Sequence, residues 1–262
     1  MTRVRLDQLL VDRALAPSRA AAQALLLAGE VELAGTGTRT LKPGQLVDRE
    51  AVVSVVARPR WASRGGDKLA AALDAFKVDP AGLACLDAGA STGGFTDVLL
   101  ARGARIVYAV DVGRGQLLDR LAREPRVVSM ERTNLRTLQH LPEPIDLATL
   151  DLSFISLGLV LSAVRDLLTD DGRVIALVKP QFEAGRKAVP RGGVVREAET
   201  HRAVLLAFGE HARWAGFTPA ALISSPLVGA EGNREFLALL KRGDEPRVDW
   251  ERLVDAVVPS PV

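Results

Sequence analysis

Cysteine, aromatic residues and long apolar runs are all scarce in this sequence, and each scarcity excludes a class of protein. The 262 residues include one cysteine, Cys85, which excludes a disulfide within the chain and is typical of a reducing compartment. No stretch has the ~18 uninterrupted apolar residues that a membrane-spanning helix needs. The first ten residues are charged and lack the apolar core of a secretory signal. We therefore expect a cytoplasmic protein without a membrane partner.

The remaining composition narrows the possible ligands. Aromatic residues make up 4% of the chain, so base stacking is not an obvious mode of nucleic-acid recognition. The histidines, His140, His201 and His211, are not spaced as ligands of a metal, and we expect no metal site. The net charge is only +2, but 34 basic residues leave room for local basic patches.

A glycine-rich turn between a predicted strand and a predicted helix is the most informative stretch that is present. The apolar run 83–86 is typical of a buried strand ending at Asp87, and the run 95–100 is typical of a helix. Glycines at 89, 93 and 94 let the backbone approach a ligand more closely than a Cβ would permit. The alternative is a turn with a structural role only.

A second acidic residue follows the next predicted strand. Residues 105–110 form an apolar run that ends at Asp111, whose carboxylate could bind both hydroxyls of a ribose. The glycine order differs from the G-x-G-x-x-G of dinucleotide-binding folds. Asp87-x-Gly89 followed by Asp111 resembles the nucleoside-binding edge of the S-adenosylmethionine-dependent methyltransferases.

The distribution of apolar runs predicts an α/β fold for most of the chain. Runs typical of strands alternate with helical patterns such as 157–168 and 198–214, which favours a mostly parallel sheet with helices on both faces. The methyltransferase resemblance implies a Rossmann-like, seven-stranded sheet. The order of its last two strands is not readable from the sequence. The predicted strands are 83–87, 105–110, 127–130, 146–150, 173–178, 220–224 and 236–240.

Residues 1–57 are predicted to form a separate small α+β module, joined by a linker at 58–62 to a catalytic domain at 63–262. Its helical pair carries Arg3, Arg5, Arg13 and Arg19, which could form one phosphate-facing patch or a solvated face. We expect Ser18 to be an N-cap and Gly29 a C-cap, and Trp61 to pack where the two domains meet.

The motifs of this module resemble a known RNA-binding domain. Arg5-Leu-Asp-x-Leu-Leu, Ser18-Arg19-x-x-Ala22-x-x-Leu25 and Gly29-x-Val31 are similar to the domain named after ribosomal small-subunit protein S-four. The resemblance implies binding to structured RNA through helix-borne arginines and Ser18, mostly by shape and backbone contacts.

Three ionisable residues lie at the ends of predicted strands. Asp151 and Lys179 each end an apolar run, and Glu235 precedes one. A lysine directly after five apolar residues is unusual, because a buried ammonium is costly unless it is paired. The alternative is a strand-end lysine that reaches solvent. Lys68, at the start of the predicted helix 69–76, is on its own best interpreted as a solvated charge.

A closer resemblance gives these residues a shared role. Ser63-Arg64-x-x-x-Lys68-Leu69, the 87–95 turn, Asp111, Asp151, Lys179-Pro180 and Glu235 match motif positions of the FtsJ/RrmJ-like ribose 2′-O-methyltransferases. That resemblance implies a Lys-Asp-Lys-Glu tetrad at Lys68, Asp151, Lys179 and Glu235. It implies S-adenosylmethionine as the cofactor. The implied cofactor-binding residues are Asp87, Gly89, Ser91, Thr92, Gly93, Gly94, Phe95, Asp111 and Asn134.

Over about 245 residues the chain is similar to the TlyA family, whose members are described both as haemolysins and as rRNA cytidine-2′-O-methyltransferases. Strings such as Val178-Lys-Pro-Gln-Phe-Glu-Ala-Gly carry this resemblance. It implies ribosomal RNA or a ribosomal subunit as the partner. Arg64, Arg186 and Lys187 are further RNA-binding candidates, and we interpret residues 185–193 as a lid or an ordinary loop.

The proton-transfer hypothesis assigns one role to each tetrad residue. Lys179 accepts the proton of the ribose hydroxyl, Asp151 and Lys68 tune it, and Glu235 holds the network. The sequence departs from the FtsJ-like pattern at one position. After the third strand, the FtsJ-like enzymes have an acid that faces the adenine, whereas this chain has Asn134. Two other functions remain as alternatives, a membrane-active haemolysin and a non-catalytic RNA-binding protein on a methyltransferase scaffold.

Overall fold

The computed structural model describes residues 3–27, 31–34, 41–55, 60–185, 189–190, 192–229, 232–243 and 248–258. The chain divides into two compact units, Met1–Arg60 and Trp61–Val262. This division lies within the predicted 58–62 linker. The candidate C-cap Gly29 and the lid residues Arg186 and Lys187 lie outside the described ranges.

The described residues of the first unit form two helices and two small antiparallel sheets. Strand β1 pairs with β3, and β2 pairs with β4. Leu6, Leu9 and Leu10 of the first helix are buried in the core of this unit. Ser18 Oγ accepts a hydrogen bond from Ala21 N–H at 3.2 Å, as expected of an N-cap. The elements are β1 (Arg3–Arg5), α1 (Leu6–Asp12), α2 (Arg19–Leu27), β2 (Val31–Leu33), β3 (Leu46–Asp48) and β4 (Val53–Val55).

The second unit alternates strands and helices, as its apolar runs predict. Its elements are α3 (Gly65–Phe76), β5 (Ala84–Ala88), α4 (Gly94–Ala101), β6 (Ile106–Val110), α5 (Asp119–Ala122), β7 (Val127–Met130), β8 (Ile145–Leu150), α6 (Leu161–Leu167), β9 (Leu168–Val178), α7 (Pro180–Glu183), α8 (Ala198–Trp214), β10 (Phe217–Ser224), β11 (Phe236–Arg242) and α9 (Trp250–Val257). Short 3₁₀ turns lie at Leu135–Thr137 and Leu157–Leu159.

The strands form one seven-stranded sheet, which confirms the predicted fold class. The order is β10-β11-β9-β8-β5-β6-β7. Strands β5 to β9 are parallel, whereas β11 runs antiparallel to both of its neighbours, β9 and β10. The last strand in sequence is therefore inserted between two earlier ones, which periodicity alone could not predict.

The predicted helix at 157–168 is shorter than its pattern indicates. Residues Leu157–Leu159 form a 3₁₀ turn, and α6 begins at Leu161. Ser156 Oγ accepts the N–H of Gly158, and a carboxylate of Glu183 accepts the N–H of Leu157. These side-chain bonds replace the first helical hydrogen bonds, because side chains that cap backbone N–H groups compete with helix formation.

Apolar side chains cover both faces of the sheet. One layer contains residues of α6, α8 and α9, and the other contains residues of α3 and α4. Trp61 is buried in the second layer, next to Gly66, where a Cβ would lie 2.3 Å from Trp61 Cγ. The packing partner that the structure gives Trp61 is therefore the core of its own unit. Among the described residues, no helix combines the length and apolar composition needed to cross a bilayer.

We predict that Phe208→Ala will destabilise the second unit by about 3–5 kcal/mol, because it removes a buried ring from the core. Phe208 is 1% exposed, and its ring centroid lies 6.4 Å from that of Trp250. Trp214 on the same helix is 78% exposed and provides the control, since Trp214→Ala should cost less than about 1 kcal/mol. Urea unfolding measures both, and equal losses would contradict this account of the core.

Candidate active site

The glycine-rich turn packs directly against the strand end that carries Asp151. Gly89 has φ +84°, and a Cβ there would lie 2.4 Å from the carbonyl oxygen of Asp151. Gly93 has φ +96°, and a Cβ there would lie 2.3 Å from Leu121 Cδ1. Both positions require glycine because of backbone conformation and close packing together. The turn is therefore held at a fixed distance from the end of β8.

A cleft of about 330 Å³ lies beside this turn, between the ends of β5, β6 and β8. Gly89, Ser91 and Asp111 line it on one side, and apolar side chains such as Leu152 and Ile155 line it on the other. A cavity with apolar walls and a few fixed polar groups is typical of a small-molecule site.

Asp111 is held in place by the backbone around it. Its Oδ2 accepts the N–H of Ser91 at 2.8 Å, and its Oδ1 accepts the N–H of Gly113 at 2.7 Å. Asn134 also lines this cleft, and its Oδ1 accepts the N–H of Arg136 at 3.0 Å. Both side chains predicted to contact a nucleoside therefore lie at the same cavity in fixed orientations.

Asp87 lies beneath the turn and does not line this cleft. It is fully buried, and it accepts hydrogen bonds from Thr96 Oγ1 at 2.6 Å and Thr149 Oγ1 at 3.3 Å. Burial raises the pKa of Asp87 to about 7, the hydrogen bond from Thr96 opposes this rise, and the charge of Asp151 adds to it. In this structure, Asp87 connects β5 to α4 and β8.

A second and larger cleft, of about 400 Å³, adjoins the first. The two share Gly89, Ser91, Asp151, Ser153 and Phe154 as lining residues. The predicted cofactor residues Thr92, Gly94 and Phe95 line this larger cleft, and Gly93 lines neither. Arg64, a predicted RNA contact, is exposed and also lines the larger cleft.

The four predicted catalytic residues all line the larger cleft, as two ion pairs. Lys179 Nζ lies 2.6 Å from Asp151 Oδ1 and donates to Ser153 Oγ at 3.0 Å. Lys68 Nζ forms a salt bridge with Glu235 Oε2. The two lysine side chains are only 11–12% exposed, so each buried charge is matched by a carboxylate. The Lys179–Asp151 contact is an ion pair without hydrogen-bond geometry, since Asp151 Oδ1 accepts no hydrogen bond among the described residues.

The sheet topology explains why these residues meet. Asp151 and Lys179 follow β8 and β9, which are parallel neighbours and therefore end at the same edge. Glu235 precedes β11, which runs antiparallel to β9 with Phe236 opposite Val178. The amino end of β11 therefore lies beside the carboxyl end of β9. Lys68 lies in the first turn of α3.

Two aromatic residues at the larger cleft were not singled out from the sequence. Phe154 is 91% exposed and has φ +64°, and its ring centroid lies 5.1 Å from that of Phe182. Lys179 Nζ lies 5.9 Å from the centroid of Phe182. The available signal was the position of both phenylalanines shortly after the end of a predicted strand, each three residues after a candidate catalytic residue.

In the first unit, two predicted RNA-binding arginines converge on a buried acid. Arg5 donates to both oxygens of Asp7 at 3.0 and 2.9 Å, and Arg19 donates to Oδ2 at 3.2 Å. The hydrogen bond from Arg5 is the largest cause that holds the pKa of Asp7 well below its usual range. The arginine side chains remain 47% and 50% exposed, so they can still face a partner.

The other predicted RNA contacts of this unit have separate positions. Arg13 Nη2 donates to the carbonyl oxygen of Arg49 at 2.7 Å, and Arg3 is exposed on β1. Within the described ranges, no group of three or more His, Cys, Asp or Glu side chains could hold a metal ion.

The seven-stranded α/β fold with clefts at its strand ends is that of the methyltransferases, the class to which the second unit belongs. A family model described as FtsJ-like methyltransferase matches residues 61–242, the range that contains the seven strands and both ion pairs. The chain therefore belongs to the FtsJ-like methyltransferase family, and its 44% identity over 97% of its length to a protein named TlyA makes it a member of the TlyA proteins.

Relatives and solved structures of similar length support this assignment. The chain is 44% identical to the 16S/23S rRNA (cytidine-2′-O)-methyltransferase TlyA of Mycobacterium tuberculosis, over 97% of this chain and 96% of that protein. It is 44% identical to Bacillus subtilis YqxC, assigned as an rRNA methyltransferase, over 89% of this chain and 84% of that protein. A structure assigned as a hemolysin from Streptococcus thermophilus matches with a TM-score of 0.73 and 40% identity, over 98% of this chain and 96% of that one.

The raised pKa of Asp87 predicts a pH dependence of stability. The folded protein keeps a proton on Asp87 between about pH 4 and 7, whereas the unfolded chain has lost it, so this contribution is full below about pH 4 and lost as the pH rises through about 7. Asp87→Asn removes this titration. The free energy of unfolding of the wild type should therefore fall relative to that of Asp87→Asn by roughly 2–4 kcal/mol between pH 4 and 8.

Chemical denaturation at several pH values measures this difference. A wild-type minus Asp87→Asn difference that stays constant, or that grows as the pH rises, would show that Asp87 is not protonated in the folded protein.

Proposed function

We propose that this protein transfers a methyl group from S-adenosylmethionine to the 2′-hydroxyl of a ribose in ribosomal RNA. The observation that carries the proposal is the pair of adjoining clefts. One contains the fixed carboxylate of Asp111, which suits a ribose, and the other contains two buried Lys–carboxylate pairs. The names of the M. tuberculosis and B. subtilis relatives support RNA as the acceptor. The first of these names also supports cytidine as the modified nucleoside.

The residues of the smaller cleft fit this cofactor. Its ribose would be held by Asp111 and its adenine by Asn134 and the apolar wall. The methionine part would lie beside Gly89, which lines both clefts. When bound, the cofactor supplies an activated methyl group on a sulfonium. Asp87 would act on this site indirectly, because its hydrogen bonds fix the turn that carries Gly89 and Ser91.

The larger cleft would receive the target ribose. Lys179 Nζ, once it has lost a proton to solvent, would accept the proton of the 2′-hydroxyl. The hydroxyl oxygen would take the methyl group as the bond between the methyl carbon and the cofactor's sulfur breaks. Asp151 and Ser153 fix the position of the Lys179 amine by direct contact. Lys68 and Glu235 form the second pair at the same cleft, where Lys68 supplies positive charge near the developing alkoxide.

The aromatic pair, with its exposed Phe154, suits the base of the target nucleotide. Phe154 exposes 91% of its surface at a cleft where water would otherwise contact the ring. A base turned out of its RNA structure could stack on this ring, and such stacking contributes about 1–3 kcal/mol per base. Because every base has an aromatic face, the stack would hold the nucleotide without distinguishing one base from another.

The first unit would bind the ribosomal RNA itself, as an S-four-type domain. The half-exposed guanidinium groups of Arg5 and Arg19, both anchored on Asp7, support this role because fixed arginines contact phosphates at a lower entropic cost. Arg3, Arg13 and Ser18, together with Arg64 at the larger cleft, are proposed as further contacts. Ribosomal subunits or their RNA are the proposed partners.

We predict that Lys179→Ala will lower kcat for methylation of ribosomal RNA by at least about 100-fold, the lower end of the usual contribution of a general base. Arg173 is an exposed basic residue on β9, the strand that Lys179 follows, and Arg173→Ala should keep near-normal activity. Transfer of a labelled methyl group to ribosomal subunits measures both, and resistance of the labelled site to alkaline cleavage identifies a 2′-O-methyl product.

If methyl transfer fails, a measurement of cofactor binding shows which part of the proposal is wrong. Calorimetry with S-adenosylhomocysteine should give similar affinities for the wild type, Lys179→Ala and Arg173→Ala. Wild-type protein that binds the cofactor but labels no ribosomal particle would contradict the proposed acceptor. Lys179→Ala with near-normal turnover would contradict the assignment of Lys179 as the base.

We predict that Phe154→Ala will raise KM for the RNA about tenfold and that Phe154→Trp will restore it, because the larger ring keeps a stacking surface. Exposed Trp214 is the control for loss of an aromatic surface outside the clefts, and Trp214→Ala should leave KM unchanged. Steady-state kinetics with a transcribed rRNA fragment measures KM. Equal values for wild type and Phe154→Ala would exclude a stacking role.

A further inference from the structure

Glu183 connects the segment that follows Asp151 to the segment that follows Lys179. It is the last residue of α7, four residues after Lys179. Its Oε2 accepts a hydrogen bond from Ser156 Oγ at 2.6 Å, and its Oε1 accepts the N–H of Leu157 at 2.8 Å. Ser156 and Leu157 belong to the loop that follows Asp151. We call these two hydrogen bonds the Glu183 bridge.

The Glu183 bridge closes a ring of contacts around the aromatic pair. At one end of the ring, Lys179 contacts Asp151 and Ser153. At the other end, the bridge joins the same two segments again. The rings of Phe154 and Phe182 lie between these ends in sequence and contact each other. Both segments are therefore fixed on either side of the aromatic pair.

Phe154 needs such external fixation. Its φ of +64° is unfavourable for a residue with a Cβ, and such a conformation persists only where the surrounding structure enforces it. Burial cannot enforce it, because 91% of the residue is exposed. The contacts that remain are Phe182 and the attachments at the two ends of its loop, of which the Glu183 bridge is one.

The local chemistry of Glu183 agrees with a structural bond rather than a reactive group. Glu183 does not line either cleft. Burial raises the pKa of its carboxyl, and the hydrogen bonds from Leu157 and Ser156 oppose this rise. The electrostatic effect of His211, on α8, also lowers the pKa of Glu183. Because a desolvated carboxylate must be hydrogen-bonded, the bridge is costly to break.

We propose that Glu183 is a positioning residue, which holds Phe154 beside Phe182 in the orientation that receives the base of the target nucleotide. This role rests on the proposed RNA methylation. Glu183 would touch neither substrate nor cofactor and would act through the aromatic pair alone. Its removal should therefore weaken the use of RNA while leaving the ion pairs of the larger cleft in place.

Two variants of Glu183 and one control distinguish the loss of the two hydrogen bonds from the loss of the negative charge. Glu183→Ala removes both hydrogen bonds. Glu183→Gln can keep both, since its oxygen can accept from Leu157 N–H and its amide can donate to Ser156 Oγ. Asp146→Asn is the matched control, because Asp146 also accepts a backbone N–H, that of Ala84 at 2.9 Å, but lies at the start of β8, at the opposite edge of the sheet.

The kinetic test is a double-mutant cycle with Phe154→Ala, measured as kcat/KM for an rRNA fragment. We expect Glu183→Ala to lower kcat/KM about tenfold in the wild type but less than about threefold in Phe154→Ala, because residues that act through one contact are not additive. Glu183→Gln should stay within about threefold of wild type, and Asp146→Asn within about twofold. Equal losses in the two backgrounds, or a Glu183→Gln loss as large as that of Glu183→Ala, would overturn the proposal.

Hydrogen exchange tests, without RNA, whether the Glu183 bridge holds the two segments in place. Glu183→Ala should speed amide exchange in both segments 152–159 and 180–185, whereas Glu183→Gln and Asp146→Asn should not. Unchanged exchange in Glu183→Ala would overturn the proposal even if activity fell. If the wild type methylates no RNA, the proposed function fails, and exchange still decides whether the bridge holds the segments. If Glu183→Ala does not fold, Ser156→Ala replaces it, with the same expectations at about half the size in both measurements, since it removes one of the two bonds.

Discussion

The cost of burying charge is the constraint on which this site depends. Two ammonium groups lie at the edge of the sheet with little access to water, and each is tolerated there because a carboxylate lies against it. This requirement fixes where the acids must be. Asp151 and Glu235 are brought to the lysines by strand register, so the sheet determines the electrostatics of the cleft. The same pairing keeps the amine of Lys179 in one place.

The fold was largely predictable because apolar periodicity and turn chemistry are local properties. Each predicted strand of the second unit corresponds to an observed one, and the helix predicted at 198–214 matches α8. What was not predictable depended on distant partners. The order of the last two strands is set by pairing across the sheet, and the shortened helix after Ser156 depends on a carboxylate from a later element.

The candidate site shows the same division between local and distant signals. Residue type and position at strand ends pointed to Asp151, Lys179 and Glu235, and family resemblance added Lys68, whose charge alone favoured a solvated interpretation. The sequence could not show that Asp87 lies beneath the glycine turn, since burial of an acid depends on hydroxyl partners such as Thr149 on another strand. It also could not show that two scarce phenylalanines meet at one cleft, because their loops are far apart in sequence.

The antiparallel insertion of β11 has a consequence for synthesis of the protein on a ribosome. The first unit and the glycine turn emerge early, and β5 to β9 can already pair with one another. Glu235 and β11 follow much later, so until then the edge of β9 lacks its antiparallel partner and Lys68 lacks its carboxylate. A nascent chain can therefore present its RNA-binding candidate surface before it has a complete catalytic cleft. The catalytic cleft described here is complete only after Glu235 and β11 have emerged.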